Sequence, residues 1–209
     1  AETLFAEQGI ANTSLRHITQ SAQVNLASVN YHFGSKSALV SHVFVRRLQP
    51  MNDERLRRLN VLLSAEAKTP ELSAVVDAFV APPIELSRDA HGAVFIKLLG
   101  RTYTEPAESI HNLIRATHQS VIEAFKPVFQ ACLPRLPQEV VSWRLHFMVG
   151  VLAYAMSGAD TMRLISSGMV NERASVKDIV SRLTEFIVAG LRAPYTRSEA
   201  AIDTPHVRL

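Results

Sequence analysis

Apolar residues recur along this chain at the three- and four-residue spacing of helices, whereas the alternation typical of strands is scarce. Two short segments near the start each carry three apolar residues on one helical face, and the second segment repeats the spacing of the first. These residues are Leu15, Ile18 and Ala22, and then Leu26, Val29 and Phe33. Gln23 and Val24 interrupt the spacing, so the pattern predicts two short amphipathic helices joined by a tight turn.

Longer apolar stripes follow, and prolines separate them. Because proline is poor inside helices, we expect a boundary at Pro50, an interruption or a kink at Pro82-Pro83, and a kink at Pro127. The predicted longer helices span 39–48, 55 to about 63, 70 to 82, 94–103, 106–132, 137–157 and 176–193. The whole pattern predicts an all-α fold of about nine helices.

This organisation predicts a small N-terminal domain over residues 1–48, which holds the helix-turn-helix, and a larger all-α domain over 49–195. A polar tail at 196–209 completes the chain. The segment Ala1 to Phe5 reads as the middle of a helix, so we expect the first residues of helix 1 to be missing.

The two short helices have the layout of a DNA-reading motif. Ser14 and Asn25 are suited to cap the helices, because their side-chain oxygens can accept from free N–H groups of a first turn. Gly34 suits a helix end, and Ser35 can cap the next helix. In a helix-turn-helix, the second helix enters the major groove.

The outward residues of the second helix are small and polar at its start and aromatic at its end. Small residues let a helix sit deep in the groove, and serine and asparagine can pair with base edges. The aromatic and basic side chains at its end can reach phosphate oxygens. The outward set is Asn25, Ala27, Ser28, Asn30, Tyr31 and His32. A helical hairpin of an ordinary α-protein is the alternative, and the run 31–36 favours DNA binding.

At this point the chain resembles the TetR family of transcriptional regulators. The matching runs are Phe5-Ala6-Glu7-Gln8-Gly9, Thr13-Ser14-Leu15-Arg16 and Val29-Asn30-Tyr31-His32-Phe33-Gly34-Ser35-Lys36-Ser37-Ala38-Leu39. The resemblance is strong over residues 1–48. The family run usually reads Tyr-Tyr-His-Phe, where this chain has asparagine at the first position, and it often has lysine at the place of Gly34.

The resemblance implies two sets of DNA contacts. The base-contacting set is Arg16, Asn25, Ala27 and Ser28, and the phosphate-contacting set is Ser14, Asn30, Tyr31, His32 and Lys36. Arg16 also makes physical sense alone, because arginine can fork onto guanine. A solvated arginine on the first helix of the motif is the alternative.

Two further runs resemble the PsrA-like, fatty-acid-responsive branch of this family. They are Val24 to Lys36 and Trp143 to Gly150, the latter followed by Met156-Ser157-Gly158. This likeness implies a repressor that is released by a long-chain fatty acid or its acyl-CoA. It implies no cofactor.

The last two long helices are the expected dimer interface, as they are in the family. Two recognition helices must lie about 34 Å apart to read successive major grooves, which a dimer provides. The predicted interface residues are Phe147, Val151, Tyr154, Ile179, Leu183, Phe186 and Ile187. A core within one chain is the alternative.

The remaining helices are expected to enclose an apolar pocket for a small hydrophobic effector. The predicted walls and head-group contacts are Phe79, Phe95, Leu98, Leu99, Arg101, Tyr103, Ile114, His118, Val121, Phe125 and Arg144. Many of these residues can equally be core. A TetR-type regulator that senses a cationic drug or another hydrophobic compound stays open as an alternative. It would need aromatic faces or acids such as Asp77, Glu85 or Glu123 in the pocket.

Composition narrows the class further. The net charge of +3 is small, but residues 1–50 carry four Lys/Arg against two acids, so the charge is favourable where DNA is expected. The single cysteine fits a reducing cytoplasm, and no apolar run is long enough for a membrane span. No metal-ligand spacing or catalytic motif is recognisable, so an enzyme is the distant alternative.

Overall fold

The computed structural model describes residues 1–65, 68–87, 90–102, 108–156, 165 and 174–195, without the side chains of 90, 91, 101, 108, 109 and 111. Nine helices have their bounds within these ranges, and no strand lies there. They are α1 (Glu2–Gln8), α2 (Leu15–Ala22), α3 (Leu26–Phe33), α4 (Lys36–Ala65), α5 (Leu72–Leu86), α6 (Ala90–Thr102), α7 (Glu108–Cys132), α8 (Gln138–Met156) and α9 (Val176–Arg192). The all-α prediction is confirmed.

The helix-turn-helix comprises α2 and α3, and its caps are those that the sequence predicts. Ser14 Oγ accepts from the His17 N–H at 3.1 Å, and Asn25 Oδ1 accepts from the Ala27 N–H at 2.8 Å. Gln23 turns the chain between the helices in the left-handed region, with φ of 55°. The chain is thereby forced to leave α2 and enter α3 at a fixed angle.

The predicted inward faces of these helices are only partly buried. Ile18 is buried and Val29 and Phe33 are half-buried, but Ala22 and Leu26 are exposed. The expectation for these two residues is wrong, because the motif has only α1 and the start of α4 to pack on. A helix at the edge of a small domain buries a narrower stripe than its apolar pattern suggests.

Helix α4 does not end near Leu48, and Pro50 marks no boundary. The helix runs for 30 residues through Pro50. Pro50 is exposed, so the carbonyl that it leaves without a donor is on the solvent side of the helix. The opposite side is buried against α5 and α7 through Leu48, Met51 and Leu59, and this packing outweighs the cost of the proline.

Helix α5 also continues through its prolines, so the expected interruption at Pro82-Pro83 is wrong. Pro83 has no N–H to bond the carbonyl of Phe79, four residues earlier. The Nε of Arg55, on α4, donates to that carbonyl oxygen at 2.8 Å. A buried side chain from the neighbouring helix therefore replaces the missing backbone donor, and α5 stays helical.

This replacement predicts an energetic coupling between Arg55 and Pro83. Arg55→Leu should destabilise the protein by about 1–3 kcal/mol, because it leaves a buried carbonyl unpaired. In a Pro83→Ala background the backbone N–H of the introduced alanine can bond the carbonyl of Phe79, so the same change should cost about 1 kcal/mol less.

The measurement is a double-mutant cycle of urea unfolding at fixed protein concentration. Pro82→Ala in place of Pro83→Ala is the matched control, because its N–H faces the carbonyl of Ala78 instead. Equal costs of Arg55→Leu in all three backgrounds would contradict the assignment.

Candidate nucleic-acid interface and effector core

Helix α3 presents its whole outward set to solvent. No residue of this helix is buried, and all six predicted outward residues are exposed. Tyr31 is 87% exposed and its ring packs edge-on against His32, with ring centroids 5.4 Å apart. Arg16 and Ser14 are exposed at the start of α2. The structure thus leaves these predicted DNA-contacting residues accessible to solvent.

Two of these residues also hold the motif together. Asn25 uses its side-chain oxygen to cap α3, so its amide N–H₂ group is the part that can reach a base. Lys36 is half-buried, and its Nζ donates to the carbonyl of Ala11 at 3.1 Å. Lys36 therefore ties the start of α4 to the turn after α1, and a phosphate contact would have to exchange this bond.

The small domain packs firmly on the larger one. The rings of Phe44 and Phe95, both fully buried, meet edge-on at 5.7 Å between α4 and α6. Helix α1 also packs along α6. Ile10 and Val40 line a groove of about 200 Å³ together with α7 residues Ile110 and Leu113. Helices α1 and α4 are thus in direct contact with α6, and Ile10 and Val40 lie beside α7.

Most of the predicted pocket residues lie together in the core of the larger domain. The rings of Phe79 and Phe125 meet edge-on between α5 and α7, with their centroids 5.3 Å apart. Half-buried Ile114 lies about three turns before Phe125 on α7. Several others are fully buried as well: Phe95, Leu98, Leu99 and Val121. Tyr103 and the side chain of Arg101 lie outside the described residues.

Arg144 does not belong to this core. Its Nη1 donates to the carbonyl of Leu191 at 2.6 Å, which fastens α8 to the last turn of α9. The contact of Arg144 with a ligand head group stays a prediction, and in this structure the side chain faces α9. The last carbonyls of a helix have no partner within that helix, and an arginine side chain that reaches them can donate to them.

His118 is a neutral group inside the core. Its Nδ1 lies 2.9 Å from the carbonyl of Ile114, so this nitrogen carries the proton. Burial, followed by the nearby charge of Arg55, lowers the pKa of His118 to about 4. At neutral pH the ring is uncharged, and its Nε2 is an acceptor.

Arg55 and Asn52 are polar core residues that the sequence analysis missed. Arg55 is 3% exposed and Asn52 2% exposed. Arg55 Nη1 donates to Asn52 Oδ1 at 3.3 Å, and Asn52 Nδ2 donates to the carbonyl of Thr117 on α7 at 2.9 Å. A signal existed: both residues continue the buried stripe of α4, at the spacing that joins Leu48 to Leu59.

The last two long helices expose a row of large aromatic side chains. Trp143, Phe147 and Tyr154 on α8 and Phe186 on α9 are each more than half exposed. We call these four residues the aromatic face. Two more predicted interface residues, Val151 and Leu183, are half-buried, and Ile179 is exposed. Ile187 is 4% exposed, so its assignment to the interface is wrong: its side chain packs inside its own chain.

Other classes of site find no support in the part of the chain that the structure describes. No described helix is both long and apolar enough to cross a membrane. Among the described residues no group of three histidine, cysteine, aspartate or glutamate side chains is placed to hold a metal ion.

Comparison with known protein families gives two matches in chain order. Residues 1–43 match the family described as bacterial regulatory proteins, tetR family, and residues 77–190 match the tetracyclin repressor-like C-terminal domain. The fold and the exposed helix-turn-helix define a DNA-binding regulator. The second match spans more than half of the chain, and the protein belongs to the TetR family of transcriptional regulators. Members of this family bind DNA as dimers and respond to a small-molecule effector.

Solved structures share the fold at low identity. The TetR family regulator PfmR from Thermus thermophilus is 16% identical, with a TM-score of 0.60 over 91% of this chain and 95% of that one. The fatty acid degradation regulator FadR from Bacillus halodurans is 14% identical, with a TM-score of 0.63 over 91% and 92%. A TetR-family regulator from Bordetella parapertussis 12822 is 16% identical, with a TM-score of 0.61 over 90% and 89%. No curated protein matches the sequence significantly.

Proposed function

We propose that this protein is a ligand-responsive repressor that binds a palindromic operator as a homodimer. A hydrophobic effector, a long-chain fatty acid or its acyl-CoA, releases it and so controls fatty-acid metabolism. The observation that carries the proposal is the junction between the two domains. The exposed helix α3 packs on α2 and α4, and α4 meets the core of the larger domain directly where the rings of Phe44 and Phe95 pack together.

In the proposed complex, α3 lies in the major groove. Arg16, Asn25, Ala27 and Ser28 face the base edges. The phosphates on either side are bound by Ser14, Asn30, Tyr31, His32 and Lys36, which set the register without reading sequence. All of these side chains except that of half-buried Lys36 are exposed, which supports this assignment, since a contact to DNA needs a side chain that its own chain does not cover.

The aromatic face is the proposed surface for the second copy. Contiguous exposed aromatic side chains are unusual on a monomer and mark an interaction surface. Val151 and Gly150 lie between Phe147 and Tyr154 on α8, and with Phe186 they line a groove of about 550 Å³ into which a partner's side chains can fit. The remaining proposed contacts are Ile179 and Leu183.

The acids that a cationic drug would need lie away from the phenylalanines of the core. Glu85 is exposed and paired with Arg58 at 2.6 Å, and Glu123 is exposed on α7. Asp77 is half-buried, and it lines a cavity of about 880 Å³ together with Glu85, Arg57 and Arg58. The alternative regulator, one that senses a cationic drug, would find its acids in this cavity.

Two resemblances favour a fatty acid as the effector. The sequence resembles the PsrA-like branch, and one structural relative is a fatty acid degradation regulator. Ligand and DNA are coupled if the effector binds better to the conformation in which the two reading helices are wrongly spaced. The loss of DNA affinity then equals the ratio of effector affinities for the two conformations.

The first test is fluorescence-anisotropy binding to a palindromic promoter fragment, titrated with oleic acid and with oleoyl-CoA. We expect tight, salt-dependent binding that falls by about 5- to 150-fold at saturating effector, the usual range of such couplings. Tight binding to DNA that neither lipid changes would overturn the effector and keep the DNA-binding function.

Tyr31→Ala tests the DNA face. Loss of one hydrogen bond to a charged phosphate should weaken operator binding by about tenfold or more. The loss of affinity should be the same for different DNA sequences, because a phosphate contact does not read the bases. The melting temperature should not change, because the side chain is 87% exposed. Tyr195→Ala is the matched control, an exposed tyrosine after the end of α9, and should leave DNA binding as it is. Unchanged DNA affinity of Tyr31→Ala would remove this residue from the interface.

Phe186→Glu tests the aromatic face. A charge buried at the centre of the interface should convert the dimer to a monomer and abolish tight operator binding, while the helical content stays the same. Sedimentation equilibrium and circular dichroism measure these properties. Ile122→Glu, at an exposed apolar residue of α7, is the control and should remain dimeric. A Phe186→Glu dimer of unchanged affinity would place the interface elsewhere.

A further inference from the structure

We infer that Leu26 reads a thymine of the operator by packing its side chain on the C5-methyl group of that base. The inference rests on the proposed function as a DNA-binding regulator, and it is independent of the effector. It adds to the base-contacting set a residue whose apolar spacing predicted an inward position. It also requires one T·A base pair at a defined place in each half of the operator.

The start of α3 carries a patch of exposed apolar side chains. Leu26 is 38% exposed, and Val24, just before the cap, is 49% exposed. Ala27 is exposed as well. We call these three residues the apolar tip. One exposed leucine is ordinary on a protein surface, but three apolar side chains within four residues form a patch that is stabilised when another apolar surface covers it.

The apolar tip lies at the end of α3 that meets the bases. In a helix-turn-helix, residues at the N-terminus of the second helix contact base edges. Leu26 is the first residue of α3, and Asn25 caps this end of the helix. Because the cap satisfies the N–H of Ala27 at 2.8 Å, the first turn is held in shape while its side chains remain exposed. Leu26 therefore enters the major groove together with its neighbours Ala27 and Ser28.

Thymine is the base that can cover an apolar side chain in the major groove. It presents its C5-methyl group beside the acceptor O4, whereas the other three bases have no methyl group there. Asn25 supplies the matching polar contact, because its amide N–H₂ group is a donor. At a cytosine the same donor would meet the N4 amino group, which is also a donor. A donor next to an apolar side chain thus matches the edge of thymine.

The experiment removes the methyl groups of the operator one position at a time. A promoter fragment that the protein binds is narrowed to its palindrome by footprinting. Deoxyuridine then replaces each thymine in turn, in both half-sites together. It keeps every hydrogen-bonding group of thymine and lacks only the methyl group. Fluorescence anisotropy gives the affinities of the wild type, Leu26→Ala and Leu63→Ala. The last variant is the matched control, a leucine of 45% exposure near the other end of α4.

We expect one position at which deoxyuridine weakens wild-type binding by about 15-fold, which is about fourfold for each of the two methyl groups removed. Leu26→Ala should bind the thymine and deoxyuridine duplexes with nearly equal affinity, because its side chain no longer reaches the methyl group. Leu63→Ala should keep the full ratio. A ratio that Leu26→Ala leaves unchanged would overturn the inference, since another residue would then read the methyl group.

Each remaining outcome is decisive as well. If circular dichroism shows that Leu26→Ala does not fold, Leu26→Ser replaces it, because serine suits the first turn of a helix, and the same loss of the ratio is expected. Tight wild-type binding that no deoxyuridine weakens would overturn this inference and leave the DNA-binding function standing. A protein that binds no promoter fragment would overturn the proposed function and the inference together.

Discussion

The two ends of this protein share one rigid element, the helix α4. Its 30 residues span about 45 Å at the rise of an α-helix. The helix begins directly after α3 and continues along the core of the larger domain. Phe44 meets α6 near its start, and Arg55 reaches α5 near its middle. A break at Pro50 would have separated these contacts into two bodies. Because the helix is continuous, one element carries both contacts and also the residues that follow α3.

The burial of the helices is divided unevenly, and the division matches the proposed function. Helix α3 has no buried residue and is held by its cap at Asn25, by the left-handed turn at Gly34 with φ of 72°, and by packing of one edge on α2 and α4. The core of the larger domain, in contrast, contains the fully buried side chains of Phe95, Phe125 and Phe129. A reading helix must give up burial to reach a groove in DNA, so its stability has to come from its neighbours.

Arg55 joins α4 to α5 inside the core of the larger domain. Two prolines in α5 remove backbone donors, and Nε of the arginine supplies one of them from outside the helix. Its guanidinium also lies over the Phe79 ring, with Cζ 4.3 Å from the ring centroid. One side chain of α4 therefore both packs against α5 and bonds a carbonyl that a proline of α5 leaves without a donor.

The sequence by itself determined the helical class, the helix-turn-helix with its caps at Ser14 and Asn25, and the surface that α3 presents. These features depend on local spacing and on hydrogen bonds within a few residues, which a linear pattern records. Only the tertiary structure decided that α4 and α5 continue through their prolines and that Ile187 and Arg144 serve their own chain. It alone placed Arg55 in the core. In each case a residue distant in sequence supplies the missing donor or covers the side chain, and no local pattern contains that partner.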